Sequence, residues 1–117
     1  MSRPVKYRKV CSMPNATSFY CENSKGEIVM TVEEYEALRL IDYKFLTQEE
    51  ASVEMQVART TLQRIYDSAR KKVAKAFVES LVLRINGGSY ELCKYRNSDC
   101  RCGHCCLKKE KIYQGDN

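Results

Sequence analysis

The stretch Thr47-Gln48-Glu49-Glu50-Ala51-Ser52-Val53-Glu54-Met55-Gln56-Val57-Ala58-Arg59-Thr60-Thr61-Leu62-Gln63-Arg64-Ile65-Tyr66-Asp67-Ser68-Ala69-Arg70-Lys71-Lys72-Val73-Ala74-Lys75 decides how this chain is read. Thr47-Gln48-Glu49-Glu50 has the capping-box pattern, in which a hydroxyl takes an orphan helical N–H and an acid three residues on reaches back. It predicts a short helix over about 48–54. Ala51 and Ser52 are small there, so another helix can approach closely. Met55-Gln56-Val57 breaks the pattern. From about Ala58, the residues Ala58, Leu62, Ile65, Ala69, Val73, Ala76 and Phe77 recur at three- and four-residue steps, an apolar stripe. If that helix runs to Leu81 it spans about 24 residues, roughly 36 Å.

Upstream, Thr31-Val32-Glu33-Glu34 repeats the capping box and opens an amphipathic helix ending near Tyr43. Further upstream, residues 1–30 are irregular. Ser18-Phe19-Tyr20-Cys21 and Glu27-Ile28-Val29-Met30 read as short strands around an Asn23-Ser24-Lys25-Gly26 turn. Downstream, Val82-Leu83-Arg84-Ile85 reads as another short strand, and Asn86-Gly87-Gly88-Ser89-Tyr90 as a turn. The organisation expected is a basic N-terminal arm over 1–30, a helical domain over 31–90 and a Cys-rich tail over 91–117.

The net charge of +5 is unevenly spread. Arg3, Lys6, Arg8 and Lys9 form a basic arm. The segment from Glu27 to Glu54 is acidic. Arg59, Arg64, Arg70, Lys71, Lys72 and Lys75 then stand against a single acid, Asp67. Such a field holds polyanions at its basic end. No run approaches the roughly 20 apolar residues of a membrane span. The start, Met1-Ser2-Arg3-Pro4-Val5-Lys6, lacks the apolar core of a signal peptide. The expectation is a cytoplasmic protein.

Two helices joined by a tight turn, the second one basic on its outer face, is the pattern of a major-groove reader. Arg59, Thr60, Thr61, Gln63 and Arg64 are placed to meet base edges. Arg pairs with guanine O6 and N7, Gln with adenine N6 and N7, and Thr offers a methyl to thymine or a hydroxyl to phosphate. Gln48, with the free N–H groups at the N-terminus of its own helix, is placed to clamp a phosphate, and Thr47 stands beside it at that end as a further DNA contact. Lys71 and Lys72, with Lys75, are backbone contacts. The expected partner is double-stranded DNA, bound by a monomer or a homodimer.

Five of the seven cysteines fall within the tail: Cys93, Cys100, Cys102, Cys105 and Cys106. A reducing compartment and an odd count both argue against a disulfide framework. Cys102-x2-Cys105 has metal-knuckle spacing, and Cys93 and Cys100 complete four thiolates, with His104 or Cys106 as substitutes. Zinc, an Fe–S cluster and Cu(I) all suit such donors. Cys11 and Cys21 read as buried apolar fillers. No nucleophile–base pair or phosphate loop is present, so an enzyme is not expected. Glu33-Glu34 and Glu49-Glu50 are explained by capping and helix dipoles.

Ser2-Arg3-Pro4 with its basic arm, Thr31-Val32-Glu33-Glu34-Tyr35-Glu36-Ala37-Leu38-Arg39-Leu40, Thr47-Gln48-Glu49-Glu50-Ala51, Arg59-Thr60-Thr61, Ala69-Arg70-Lys71-Lys72-Val73-Ala74 and Gly87-Gly88-Ser89-Tyr90 occur in an order that resembles the UPF0251 (DUF134) family of small bacterial and archaeal proteins. The resemblance covers about residues 2–90. It implies DNA binding through a helix-turn-helix similar to region 4 of sigma factors. The family pattern has Gly in the turn and Ser before the second helix, where this chain has Gln56 and Ala58. At positive φ, Gln56 costs on the order of 1 kcal/mol, and a missing cap costs about 1 kcal/mol.

The expectation is a mainly α fold, a three-helix helix-turn-helix with short β segments at its edges. It serves a DNA-binding transcriptional regulator with a metal- or redox-linked tail. The alternative is a metal-binding or redox accessory protein whose helical part binds a protein partner.

Overall fold

The computed structural model describes residues 7–93. Both capping boxes form. Thr31 Oγ1 accepts from the Glu34 amide at 3.2 Å and the Glu34 carboxylate accepts from the Thr31 amide at 2.8 Å. This starts helix α1, Val32–Leu38. The helix expected to end near Tyr43 does reach it, but its last turn, Arg39–Tyr43, is π-helical, closed by the Lys44 amide donating to the Arg39 carbonyl at 2.9 Å. Such turns are uncommon and concentrate at functional sites. Thr47 then caps α2, Gln48–Met55.

Between α2 and the next helix, Gln56 sits in the left-handed region at φ 57°, a conformation that favours glycine. Ala58 keeps the extended backbone of an N-cap but supplies no side-chain hydrogen bond to α3, Arg59–Glu79. Helix α3 ends at Ser80, also left-handed.

The chain is mixed α/β. Among the described residues five short strands accompany the helices: β1 Arg8–Val10, β2 Ser18–Phe19, β3 Glu27–Met30, β4 Val82–Ile85 and β5 Tyr90–Leu92. Strand β4 lies between β2, antiparallel, and β3, parallel. All three α-helices lie in the crossover from β3 to β4, the long connection that parallel pairing needs. β1 pairs in parallel with β5 in a second, two-stranded sheet. The sequence pattern anticipated β3 and β4, drew β2 two residues too long, and missed β1 and β5. These strands are too short to show an alternation of their own. Residues 7–30 are therefore hydrogen-bonded into the same body as residues 82–93, rather than standing off as an arm.

Two apolar clusters hold the body together. One joins Ala37, Leu40, Leu46, Ala51, Met55, Leu62 and Tyr66; the other joins Val10, Met30, Val32, Ala69 and Ile85. Helix α3 feeds both, with Leu62 and Tyr66 in the first and Ala69 in the second. Ile65 and Val73 pack at their margins, as the stripe predicts. The stripe does not extend to Phe77, which is 79% exposed, beside Val78 at 82%. Phe77 lies about 100° from Ala76 around the helix, which is enough to turn it off the sheet.

The Gly87-Gly88 turn folds over the start of α1. The Val32 amide donates to the Gly87 carbonyl at 3.0 Å and the Ser89 amide to Glu33 Oε2 at 3.2 Å. A Cβ on Gly88, at φ 111°, would run into the Glu33 carboxylate and come within 2.9 Å of Thr31 Cβ. Only glycine fits both the backbone and the space.

Candidate nucleic-acid interface

Helix α3 buries one side and presents the other. Leu62, Tyr66, Ala69 and Ala76 face inward. Arg59, Thr60, Gln63, Arg64, Asp67, Arg70, Lys71 and Lys75 are exposed. At 100° per residue these eight occupy a single arc of the helix. Five are cations and one is an acid. Thr61 is only half-exposed, at the margin of this arc.

Side-chain links to α1 and its π-helical end fix how the arc is held. Tyr66 donates from its hydroxyl to Asp42 Oδ1 at 2.8 Å. Ser68 Oγ donates to Glu34 Oε2 at 2.6 Å. Lys72 Nζ meets Glu34 Oε1 at 2.8 Å. Arg70 stacks over the Tyr66 ring at 5.5 Å and lies 3.6 Å from Asp42. Glu34 thus serves both its own cap and α3. Burial works against its charge, but the bonds from Lys72, Ser68 and Thr31 outweigh that and hold its carboxyl below the usual range. Burial first, then the Asp42 carboxylate, pushes the Tyr66 hydroxyl above the usual phenol range.

The residues singled out from the sequence divide. Arg59, Thr60, Gln63, Arg64 and Lys71 lie together on the exposed face. Lys72 is turned toward α1 and already paired with Glu34. Thr47 is committed to its cap, accepting from the Glu50 amide at 3.1 Å. Gln48 is half-buried beside the exposed Glu49 and Glu50, whose charges oppose a phosphate at that end. The start of α3 is better suited to an anion: it has no side-chain cap and no acid in its first turn. Lys75, read as a backbone contact with Lys71, is exposed on the same face, and Arg70 extends the face beyond the first selection, seven residues and so about two turns from Gln63. The Asp42–Tyr66 link left no trace in the sequence, because only the packing of α3 on the π-helical turn brings the two together.

Farther along α3, Phe77, Ala76 and Val73 line an open apolar groove of about 430 Å³ with Phe19, Tyr20 and Leu83. Arg84 spans the adjoining sheet, bonded to Glu27 at 2.7 Å and Ser18 at 2.9 Å.

Among the described residues no group of three or more His, Cys, Asp or Glu side chains is gathered for a metal. Of the tail ligands, Cys93 is described and buried; Cys100, Cys102, His104, Cys105 and Cys106 lie outside the described residues. Cys11 is buried as expected, but Cys21 is exposed, because the chain turns outward directly after the two-residue β2. No helix among the described residues is long and apolar enough to cross a membrane.

A family model described as "Protein of unknown function DUF134" matches residues 1–93. A UPF0251 protein of Desulfitobacterium hafniense strain Y51 is 44% identical over 115 residues, covering 95% of this chain and 90% of the relative. One from Clostridium acetobutylicum is 46% identical over 109 residues, covering 86% and 75%. One from Caldicellulosiruptor saccharolyticus is 38% identical over 117 residues, covering 99% and 79%. No solved structure matches the chain. The chain belongs to the DUF134 family, whose relatives here carry the UPF0251 name.

Proposed function

We propose that this DUF134-family chain binds duplex DNA, with α2, the Gln56 turn and α3 acting as a helix-turn-helix and α3 entering the major groove. The reading rests above all on the exposed arc of α3. Arg59, Thr60, Gln63 and Arg64 form a donor-rich surface on a helix whose opposite side is locked into both apolar clusters. Arg59, Gln63 and Arg64 carry the base reading, Lys71, Arg70 and Lys75 the phosphate contacts, and the uncapped amides at the start of α3 a further phosphate. The role that follows is transcriptional regulation in the cytoplasm, by a monomer or homodimer, with a metal-linked tail.

A second reading is favoured by the apolar groove and the exposed Phe77 and Val78. It makes the helical body a docking module for a protein partner.

Selection of bound sequences from a pool of random duplexes, followed by mobility shifts at several salt concentrations, separates the two. A recovered motif with affinity falling steeply as salt rises supports DNA reading. No duplex binding by folded protein at low salt overturns it and leaves the docking module.

A further inference from the structure

A cavity of about 440 Å³ opens between the three-stranded sheet and the helices, within the range of about 300–1,000 Å³ usual for small-molecule sites. Strand register sets its floor. Met30 pairs with Ile85 and Phe19 with Leu83, so these side chains stand on one face of the sheet, and all four line the cavity. Leu38 of α1 and Val73 of α3 add apolar wall. The π-helical turn contributes Arg39, Asp42 and Tyr43. A π turn set into the wall of a cavity is itself a pointer to a ligand.

Arg39 supplies a second pointer. It is 9% exposed. Its Nε and Nη2 each donate to Glu36 at 2.8 Å. Its Nη1 is buried and has no hydrogen-bond partner among the described residues. A buried donor without an acceptor is costly, and folded proteins keep few. Glu36 already balances the guanidinium charge, so Nη1 lacks an acceptor rather than a further anion. Asp42 puts a carboxylate in the same lining, one oxygen bonded to the Tyr66 hydroxyl and the other 3.6 Å from Arg70. That charge repels an anionic ligand.

We propose that this cavity binds a small, uncharged, largely apolar carbonyl compound, its ring against Met30, Leu83 and Val73 and its oxygen accepting from Arg39 Nη1. Nη1 is shielded from solvent as the cavity stands. The acceptor reaches it after a rotamer shift of a lining side chain, a change that commonly accompanies binding. The proposal goes beyond the DNA-binding reading and does not depend on it.

The test uses the full chain without DNA. Prodan, an uncharged naphthalene ketone whose emission moves to the blue when it leaves water, is titrated with folded protein. It is then displaced by acetylnaphthalene, which keeps the acceptor, by ethylnaphthalene, which has the same shape without it, and by naphthoate, an anion. Saturable, blue-shifted emission is expected, with acetylnaphthalene the tightest of the competitors. Bound acetylnaphthalene gives nuclear Overhauser effects to Met30 and Ile85, which line this cavity and not the Phe77 groove. Arg39→Met/Glu36→Gln removes both charges together, so neither is left buried and unpaired. In that variant the preference for acetylnaphthalene over ethylnaphthalene falls about tenfold or more, the discrimination of a hydrogen bond to a charged group. Absence of saturable binding to the folded chain overturns the proposal, as do Overhauser effects confined to Phe77 and Tyr20. Tighter binding of naphthoate or of ethylnaphthalene overturns the ligand class, and an unchanged preference in the folded double variant overturns the role of Arg39. The competitor order and the Overhauser effects need only the unaltered chain, so they decide the matter even where the double variant does not fold. None of these outcomes bears on the mobility shift, so the two readings fail separately.

Discussion

Tyr66 donates its hydroxyl to the Asp42 carboxylate across 2.8 Å, tying the first turns of α3 to the π-helical end of α1. Asp42 is the fourth residue of the π turn, and the widened turn is what carries it to Tyr66. The same tyrosine closes the apolar cluster that Leu40, Met55 and Leu62 form. One side chain therefore sets both the depth and the rotation of the helix that presents Arg59 to Arg64.

Replacing Tyr66 by Phe keeps the ring and removes the bond. Stability falls by about 1 kcal/mol, the net value of a partly buried hydrogen bond, measured by urea unfolding. Duplex affinity falls further than stability accounts for, because the helix loses a rotational stop. Unchanged affinity in folded Tyr66→Phe would show that the link does not position the interface.

Arg59→Ala/Arg64→Ala leaves the fold intact, since both side chains are exposed, and stability stays within about 0.5 kcal/mol. The slope of log affinity against log salt becomes shallower by about 0.9 for each phosphate that the protein no longer neutralises. An arginine that pairs with guanine adds about 1–3 kcal/mol of lost discrimination at its position. An unaltered slope together with unaltered affinity would remove α3 from the interface.

Glu34 makes stability pH-dependent. Its folded pKa lies below its ordinary value, so the folded state favours the carboxylate. That contribution is present above the unfolded value of about 4.3 and disappears as pH falls through the folded value. Glu34→Gln costs roughly 1.5–3 kcal/mol at neutral pH, the range for hydrogen bonds to charged groups. It costs much less in acid. Unfolding curves from pH 7 down to pH 3 check this; a constant difference across that range would show that the Lys72 and Ser68 bonds contribute little.

The Gln56 turn and the Ala58 cap are both improvable. Gln56→Gly relieves the left-handed strain and raises stability by up to about 1 kcal/mol, reduced by the greater freedom of glycine in the unfolded chain. Ala58→Ser has the right backbone to cap the Thr61 amide and adds about 0.5–1 kcal/mol. If the open amides of α3 hold a phosphate, Ala58→Ser weakens duplex binding while it stabilises the fold. Calorimetry and mobility shift on the same variant separate the two effects.

Local chemistry was legible residue by residue. Thr31 and Thr47, each followed three residues later by Glu, placed the starts of α1 and α2 correctly, because a capping box needs only neighbours in sequence. Leu62, Ile65 and Ala69 marked the inner side of α3 for the same reason, and the exposed Arg59, Gln63 and Arg64 follow as its complement. Gln56 and Ala58 announced a strained turn and an uncapped helix, and both are as the substitutions imply.

What the tertiary structure alone decided lies where partners are far apart in the chain. Parallel pairing of β3 with β4 and of β1 with β5 depends on a crossover of three helices, and strands of three or four residues carry no periodicity to reveal it. Phe77 continues an apolar spacing in sequence, but in the fold it is 79% exposed and lines an open groove. Lys72 reads as one more cation of the basic run; only the position of α1 shows that its charge is already spent on Glu34. Cys11 and Cys93 are unrelated in sequence and adjacent in the fold. Sequence determined the helices and their polarity, since these are set within a turn or two of chain. Packing decided which charges remain free to meet a ligand and which side chains meet one another.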